Sequence, residues 1–287
     1  MQKPKSISIP KATRYQNAAL NYYLGLTNSS YLHYGYWNPN DNKSENLTIA
    51  HLAAAQEAYT AKLFSFIPEV VKTVLDVGCG TGGNATYLLD RGFTVEGLAP
   101  DSFQEERFIN QTKGRAPFHL SRFEDFQETH TYDLILFSES SQYIAGEDLA
   151  KGSARLLNSG GYLLIVDMMR SDPKYDQGIF SNCHVSSELQ ATLVKAGFKL
   201  VKAEDISSSV APTIDLYVET FRTFGMTTLK YIADLVAIAV PPLHVIGRWL
   251  FKRFAQKLVT EGLAARLIFD KHLCYEIQLW QLSKKDN

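Results

Sequence analysis

The chain has 287 residues, of which 45% are hydrophobic and 21% charged, and its formal net charge is -1. This is an ordinary globular balance, and the near-neutral charge excludes the basic surface expected of a nucleic-acid-binding protein. Three widely spaced cysteines fit neither a disulfide framework nor a zinc site, so we expect no metal and a reducing, cytoplasmic location.

Helices and strands are predicted to alternate along most of the chain. A helix is predicted over residues 46–66, where apolar side chains recur at helical spacing. Strands are predicted at 74–77, 93–98, 118–120, 132–138, 162–167, 198–204 and 272–282, helices at 84–89, 103–111, 147–157 and 186–196, and a turn at Gly160-Gly161. The alternation predicts an α/β fold, a doubly wound, seven-stranded parallel sheet with helices on both faces.

A long helical, apolar segment interrupts this pattern and suggests four regions. Residues 1–70 are predicted to form a helical and aromatic cap, 71–206 the ligand-binding core, 207–271 an insert between the sixth and seventh strands, and 272–287 the final strand. The stretch 231–251 is apolar but broken by prolines and charged residues, which favours a buried or interfacial segment over a membrane span. Placed over the ligand edge of the sheet, the insert would form a hydrophobic lid.

The most informative stretch follows the first predicted strand. Asp76, Gly78, Gly80 and Gly82 form the pattern D-x-G-x-G-x-G at a strand-to-helix turn. Glycine allows a sharp turn and close approach of a ligand, and a helix N-terminus offers unpaired N–H donors. Because the spacing differs from the G-x-G-x-x-G of dinucleotide folds, it indicates a nucleotide site that is not a phosphate cradle.

This stretch resembles motif I of the class I, Rossmann-like S-adenosylmethionine-dependent methyltransferases. The pattern is most similar to the small-molecule group that includes tocopherol, isoprenoid and cyclopropane-synthase-like enzymes. The resemblance extends over roughly residues 15–205 and the last strand. It implies S-adenosylmethionine as cofactor and S-adenosylhomocysteine as product, with the cofactor held by Asp76, Gly78, Cys79, Gly80 and Gly82.

The resemblance also implies cofactor contacts after the second and third strands. Ala99 stands where the family usually has the acid that binds the ribose hydroxyls, and Gln104 matches relatives that also lack this acid. Asp101 either supplies the acid or caps the next helix. Phe123 is expected to pack on the adenine or in the core, and Glu124 or Asp125 to reach the adenine amino group.

Two further segments carry the candidate catalytic residues. Ser138 and Glu139 follow the fourth strand, where relatives also carry a glutamate, so Glu139 is expected to be a general base, to orient a base, to stabilise a cation, or only to cap the next turn. His33-Tyr34-Gly35-Tyr36-Trp37 resembles a segment that folds over the cofactor and substrate in the same group. Tyr34 and Tyr36 can donate hydrogen bonds, and His33 is either a base or a structural residue.

Together these features predict an enzyme of small-molecule biosynthesis or secondary metabolism. It would transfer a methyl group to a hydrophobic or amphiphilic acceptor such as a terpenoid, quinol, polyketide or lipid. Two alternatives stay open: methylene transfer to an acyl chain, as in cyclopropane fatty-acid synthases, and a non-enzymatic module whose insert binds a partner or a membrane surface. Peripheral membrane contact through the insert and an oligomeric state are compatible with the first reading.

Overall fold

The structure is a computed structural model that describes residues 29, 31–38, 47–242, 256–257 and 259–283. Residues 1–28 and 39–46 of the predicted cap and residues 243–255 of the predicted insert lie outside these ranges. No helix within the described ranges is long and apolar enough to cross a membrane.

Seven strands form a single sheet around which the molecule is built. In chain order they are β1 (Thr73–Val77), β2 (Thr94–Ala99), β3 (Phe118–Leu120), β4 (Tyr132–Ser138), β5 (Leu157–Arg170), β6 (Phe198–Asp205) and β7 (Leu273–Leu282). Their order in the sheet is β3-β2-β1-β4-β5-β7-β6. The order reverses between β1 and β4, and ligands of such sheets bind outside the strand ends at this point.

The seven-stranded, doubly wound fold is confirmed, but the expectation of a wholly parallel sheet is wrong. Strand β7 runs antiparallel to both of its neighbours, β5 and β6. The insert leaves the sheet directly after β6 and returns into β7 at the same edge, where Asp205 pairs with Glu276. A connection that starts and ends at one edge of a sheet produces antiparallel neighbours.

Strand β5 is longer than predicted because it contains the glycine pair that the sequence marks as a turn. It begins at Leu157, which pairs with Tyr132, and the register then shifts before Leu134. Gly160 accommodates the irregularity with a φ of 78°. Gly160 and Gly161 therefore form a bulge-like distortion within β5 and do not mark the start of the strand.

Eight helices have defined bounds in the described ranges, and those predicted from the sequence lie within three residues of their predicted ends. They are α1 (Ile49–Phe64), α2 (Gly83–Leu89), α3 (Ser102–Thr112), α4 (Gly146–Leu156), α5 (Ser186–Lys195), α6 (Ser207–Thr220), α7 (Met226–Ala239) and α8 (Ala265–His272). A π-helical turn, Phe221–Gly225, joins α6 to α7.

Apolar side chains cover both faces of the sheet and fix the strand ends that carry the site. Neighbouring residues of β1 point to opposite faces, so that Val74 belongs to one buried cluster and Leu75 to the other. Helix α6 packs Val210 and Ile214 into the first of these clusters. Each fully buried leucine or valine contributes about 1.5–3 kcal/mol, so this packing stabilises the frame of the site.

The two helices at the start of the insert differ sharply in burial. Helix α6 is largely buried, whereas α7 has no buried residue. Ile238 is 80% exposed and Tyr231 is 63% exposed. The described part of the apolar stretch that begins at residue 231 is therefore not buried within the protein, and its interfacial alternative stays a prediction.

Candidate active site

The turn after β1 adopts a backbone that requires glycine. Gly78, Gly80 and Gly82 have φ values of 72°, 56° and 89°. A Cβ on Gly78 would lie 2.4 Å from the Cβ of Ser140, and the Gly78 N–H donates to the Leu98 carbonyl at 2.8 Å. The sequence therefore brings the turns after β1 and β4 into direct contact.

This turn forms one wall of a cavity of about 460 Å³ at the carboxyl ends of β1, β2 and β4. Its volume lies within the range typical of small-molecule pockets. Predicted residues in its lining are His33, Gly78, Cys79, Gly80, Ala99, Asp101, Gln104, Phe123, Glu124, Ser138 and Glu139. The other predicted residues, Tyr34, Tyr36, Asp76 and Gly82, are not part of this lining.

Three buried carboxylate or amide oxygens at or beside the main cavity have no hydrogen-bond partner among the described residues. Asn84 Oδ1 and Asp101 Oδ2 belong to lining residues, and Asp76 Oδ2 lies on β1, one residue before lining residue Val77. Burial raises the pKa of Asp76 to about 7. Because an unpartnered buried acceptor is costly, these atoms indicate a ligand with several hydrogen-bond donors.

Asp101 caps a helix and also lines the main cavity. Its Oδ1 accepts a hydrogen bond from the Phe103 N–H at 3.0 Å and so caps α3. Its Oδ2 has no partner among the described residues and its side chain lines the main cavity. One carboxylate can thus stabilise a helix and bind a ligand at the same time.

The loop after β3 supplies a buried aromatic residue and an ion pair. Phe123 packs edge-on against Phe137 at 5.2 Å between ring centroids and also lines the main cavity. Glu124 accepts a hydrogen bond from Arg122 at 2.6 Å. The Phe123 ring therefore satisfies the core-packing alternative while it remains accessible to a ligand, and Arg122 holds Glu124 at the cavity rim.

His33 is buried and both of its ring nitrogens are engaged. Nδ1 lies 2.8 Å from the Tyr34 carbonyl and Nε2 lies 3.1 Å from Thr60 Oγ1. The ring stacks on Tyr59, and burial lowers the pKa of His33 to about 4. A neutral, fully bonded imidazole is a weak base at neutral pH, so this arrangement favours the structural alternative for His33.

The segment that contains His33 is held by the first helix of the insert. Thr213 Oγ1 accepts hydrogen bonds from the Gly35 N–H at 3.1 Å and from Trp37 Nε1 at 2.8 Å. The Tyr36 ring lies near the Lys62 ammonium, 5.8 Å away, outside the lining of the main cavity. The insert therefore positions the segment 31–38, a role that the sequence did not reveal.

Glu139 has the most unusual backbone and environment in the site. Its φ is 55°, and the only other described non-glycine residue with a positive φ is Lys113, which ends α3. Its Oε1 accepts hydrogen bonds from the Tyr34 N–H at 2.8 Å and from the Tyr275 hydroxyl. Burial raises the pKa of Glu139 to about 8, opposed by these two hydrogen bonds. Backbone strain of this kind concentrates at functional sites.

A second, smaller cavity of about 80 Å³ lies on the other side of Glu139, and we call it the chamber. Its lining residues are Tyr34, Glu139, Gln142, Asp167, Met168, Phe180, Cys183 and Tyr275. Glu139 and Gln142 line both cavities. Asp167 sits near the carboxyl end of the predicted fifth strand, a position that could have identified it, whereas nothing in the sequence pairs Tyr275 with Glu139.

The comparisons with known proteins assign the family. Residues 50–203 match the family described as "Methyltransferase domain", which is more than half of the chain. This chain belongs to the class I S-adenosylmethionine-dependent methyltransferases. The seven-stranded sheet and the glycine turn are thus those of a methyltransferase fold.

Individual relatives of this methyltransferase are distant. A sterol 24-C-methyltransferase from Pneumocystis carinii is 24% identical over 214 residues, which cover 67% of this chain but 55% of the relative. The [4+2]-cyclase SpnF has a TM-score of 0.67 at 17% identity over 94% of this chain and 93% of its own. Geranyl diphosphate C-methyltransferase from Streptomyces coelicolor A3(2) has a TM-score of 0.66 at 17% identity over 95% and 99%. At such identities the structural likeness shows the fold alone.

The residues at the main cavity fit the cofactor of this family. S-adenosylmethionine carries an ammonium group, two ribose hydroxyls and an adenine amino group, all of which donate hydrogen bonds. The unpartnered acceptors on Asp76, Asn84 and Asp101 are complementary to such donors. Ala99, where the family usually has the ribose-binding acid, and Asp101, an acid two residues later, lie in the same lining.

Proposed function

We propose that this methyltransferase transfers a methyl group to a hydrophobic or amphiphilic small molecule. The observation that carries the proposal is the position of Glu139 in the wall between the main cavity and the chamber. When bound, S-adenosylmethionine supplies a methyl group activated by its positively charged sulfur. The protein has to hold donor and acceptor in line, and positioning of this kind can lower a barrier by about 7–11 kcal/mol.

Glu139 is proposed to take a proton from the acceptor or to orient it. Its Oε1 is occupied by the Tyr34 N–H and the Tyr275 hydroxyl, whereas Oε2 has no hydrogen-bond partner within the described part of the chain. Oε2 is therefore the atom available to a substrate. A carboxyl whose pKa is raised to about 8 is matched to proton transfer near neutral pH.

The proposed acceptor class follows from the lining of the chamber and from the insert. Tyr34, Met168, Phe180 and Tyr275 form the apolar part of the chamber wall, beside the polar side chains of Glu139, Gln142 and Asp167. Apolar surface with a few polar groups suits lipophilic ligands. The insert supports the same class, since its helix α7 exposes large apolar side chains.

Radiolabelled methyl transfer tests the proposal directly. Purified protein would be incubated with methyl-tritiated S-adenosylmethionine and separate pools of terpenoids, quinols, polyketides, unsaturated lipids and glycine-type amines. We expect label in a lipophilic pool, and Glu139→Gln should reduce the rate at least tenfold. No transfer to any pool, or transfer to the glycine-type amines alone, would contradict the proposal. Structural analysis of the product separates methyl transfer from cyclopropanation by retention or loss of the olefin.

Contact with a membrane surface is the second part of the proposal. Phe224, Tyr231 and Ile238 are 68%, 63% and 80% exposed on and beside α7. An amphipathic or apolar helix of this kind can lie in the interface of a bilayer. Sedimentation with anionic vesicles should bring down the wild-type protein and less of an Ile238→Asp variant. Equal recovery of both in the supernatant would contradict this part. A cytoplasmic location, favoured by the scarcity of cysteines, completes the proposal.

A further inference from the structure

Two side chains form the wall between the main cavity and the chamber. Among the described lining residues, only Glu139 and Gln142 belong to both cavities. Glu139 follows β4, and Gln142 lies three residues later in the short 3-10 turn Ser141–Tyr143. An acceptor that takes a methyl group from a donor in the main cavity has to approach this wall. The polar atoms of Gln142 therefore bear on which acceptor group can react.

The amide of Gln142 is oriented by a cysteine. Cys183 Sγ donates a hydrogen bond to Gln142 Oε1 at 3.5 Å, and both residues line the chamber. Burial raises the pKa of Cys183 to about 12, and the Asp167 carboxylate adds to the rise, so the thiol keeps the proton that it donates. Because a thiol proton needs an acceptor, Oε1 and not Nε2 faces Cys183.

The wall presents one unpartnered donor and one unpartnered acceptor. Within the described ranges Nε2 of Gln142 has no hydrogen-bond partner, and neither has Oε2 of Glu139. Other polar side chains of the chamber are engaged with protein groups. The Tyr275 hydroxyl donates to Glu139, and Asp167 accepts hydrogen bonds from the Ser141 N–H at 3.0 Å and from the Ser141 hydroxyl at 2.6 Å.

A hydroxyl group is complementary to this pair of atoms. It can give its proton to Oε2 of Glu139, and its oxygen has two lone pairs, one to attack the methyl carbon and one to accept from Nε2 of Gln142. A neutral amine has a single lone pair, which the attack uses, and an alkene carbon has none. For these two acceptors the Gln142 donor would be desolvated without a partner, which is unfavourable.

We propose that Gln142 is a specificity-determining residue, whose Nε2 binds the acceptor oxygen beside Glu139 and so directs methyl transfer to hydroxyl groups. The inference rests on the proposed function. In this transfer the hydroxyl proton passes to Glu139 Oε2, the oxygen forms its bond to the methyl carbon, and the carbon–sulfur bond breaks with its electron pair left on sulfur. The products are a methyl ether, S-adenosylhomocysteine with a neutral sulfur, and protonated Glu139. Cys183 is a positioning residue, since it acts through Gln142.

Three probes of nearly the same shape test the two hydrogen bonds separately. Phenol donates a hydrogen bond and accepts one, aniline donates but accepts poorly because its lone pair is delocalised into the ring, and toluene does neither. Each would be titrated calorimetrically into protein saturated with S-adenosylhomocysteine at pH 8.5, above the pKa of about 8 of Glu139. We expect phenol to bind at least tenfold more tightly than aniline, and aniline more tightly than toluene.

Substitution of Gln142 connects the preference for phenol to its amide. Gln142→Leu should lower the ratio of phenol to aniline affinity at least fivefold. Gln190→Leu is the matched control, because Nε2 of Gln190 donates to the Ser186 hydroxyl on α5 at 3.1 Å and Gln190 lines neither cavity. It should leave the ratio unchanged. Thermal unfolding would confirm that each variant is folded.

A pair of substitutions tests the positioning role of Cys183. Cys183→Ala should lower the ratio of phenol to aniline affinity, because the amide of Gln142 is then free to turn. Cys183→Ser should restore it, because a hydroxyl also donates to Oε1. A merely structural role of Cys183 would lower the ratio in both variants or in neither.

The methylated product provides a second measurement. NMR spectroscopy of the product from the transfer assay should show the new methyl group in an ether, and Gln142→Leu should lower kcat/KM at least tenfold. Equal affinity for phenol and aniline, an unchanged ratio in Gln142→Leu, no binding of any probe, or a methyl group on carbon or nitrogen would overturn the inference and leave the proposed function standing. Absence of methyl transfer to every lipophilic pool would instead refute the proposed function.

Discussion

The hydroxyl of Tyr275 donates a hydrogen bond to the carboxylate of Glu139 across a separation of 136 residues. Tyr275 lies on the antiparallel strand β7, and Glu139 follows the parallel strand β4. The Tyr59 hydroxyl extends the contact at 3.0 Å from that of Tyr275. The last strand, which is outside the matched family region, therefore fixes the principal candidate base.

Tyr275→Phe should move the pH dependence of methyl transfer. The hydrogen bond from Tyr275 lowers the pKa of Glu139, which burial has raised to about 8. Its loss should raise this pKa further, so the rise of kcat with pH should shift to higher pH. The Tyr59 hydroxyl also loses a partner, which costs about 1–3 kcal/mol of stability. Steady-state rates between pH 6 and 10 measure the shift.

Tyr162→Phe is the matched control. Tyr162 lies on β5, and its hydroxyl accepts a hydrogen bond from Gln281 rather than from the site. It should leave the pH profile unchanged. An unshifted profile in Tyr275→Phe would mean that Glu139 does not set the alkaline rise.

Gly78→Ala should weaken cofactor binding strongly, while Gly92→Ala should not. Both glycines have positive φ, 72° and 86°, and alanine costs each about 1–2 kcal/mol. Only at Gly78 would the added Cβ meet a neighbour, at 2.4 Å, whereas none lies within 4 Å at Gly92. The two variants should thus differ in S-adenosylhomocysteine affinity by at least tenfold, as measured by calorimetry. Similar affinities of the two variants would mean that the glycine turn does not contact the cofactor.

Asp101→Asn should separate the capping role of Asp101 from its ligand role. Asparagine is a good N-cap, so the stability of α3 should be kept, whereas the unpartnered acceptor Oδ2 is replaced by a donor. We expect at least a tenfold loss of cofactor affinity with little change in Tm. Asp101→Ala should lose both the helix cap and the cofactor affinity, and the lost cap should destabilise the fold by about 1 kcal/mol. Unchanged cofactor affinity in Asp101→Asn would mean that Asp101 only caps α3 and does not bind the cofactor.

Stability of the ligand-free protein should fall between pH 6.5 and pH 8. Burial raises the pKa of Asp76 to about 7, of Glu139 to about 8 and of Asp167 to about 6. A raised carboxyl pKa stabilises the fold below the unfolded pKa, and this stability is lost as the pH rises through the folded value. His33, lowered to about 4, acts in the opposite direction, but only below its unfolded value near 6.5.

Urea unfolding at pH 6.5 and pH 8 measures this effect. The free energy of unfolding should drop by about 1–3 kcal/mol between them, given 1.36 kcal/mol per proton and pH unit. Glu139→Gln should show a smaller drop, because it removes the carboxyl with the highest pKa. A constant or rising free energy would mean that these carboxyls are ionised in the folded protein.

Local patterns in the sequence predict most of the fold because each strand and helix of the core has a clear period and clear ends. The exceptions depend on contacts between distant segments. Gly160 lies inside a strand because residues on both sides of it pair with β4, and β7 is antiparallel because the insert returns to the edge that it left. No local pattern encodes either fact.

The candidate site likewise contains residues that local sequence patterns predict and residues that only distant contacts identify. Residues of the glycine turn and Asp101 could be found because their roles are tied to a strand end or a helix start. Tyr275 and Thr213 could not, since each acts through a hydrogen bond to a segment more than 130 residues away. Thr213 is separated from Gly35 by 178 residues.

Calorimetric titration of the purified wild-type protein with S-adenosylhomocysteine tests the central claim most directly. The account predicts one binding site per chain, which Gly78→Ala weakens at least tenfold and Gly92→Ala preserves. Absence of any binding by folded wild-type protein would contradict it, because the glycine turn and the unpartnered acceptors would then serve no cofactor.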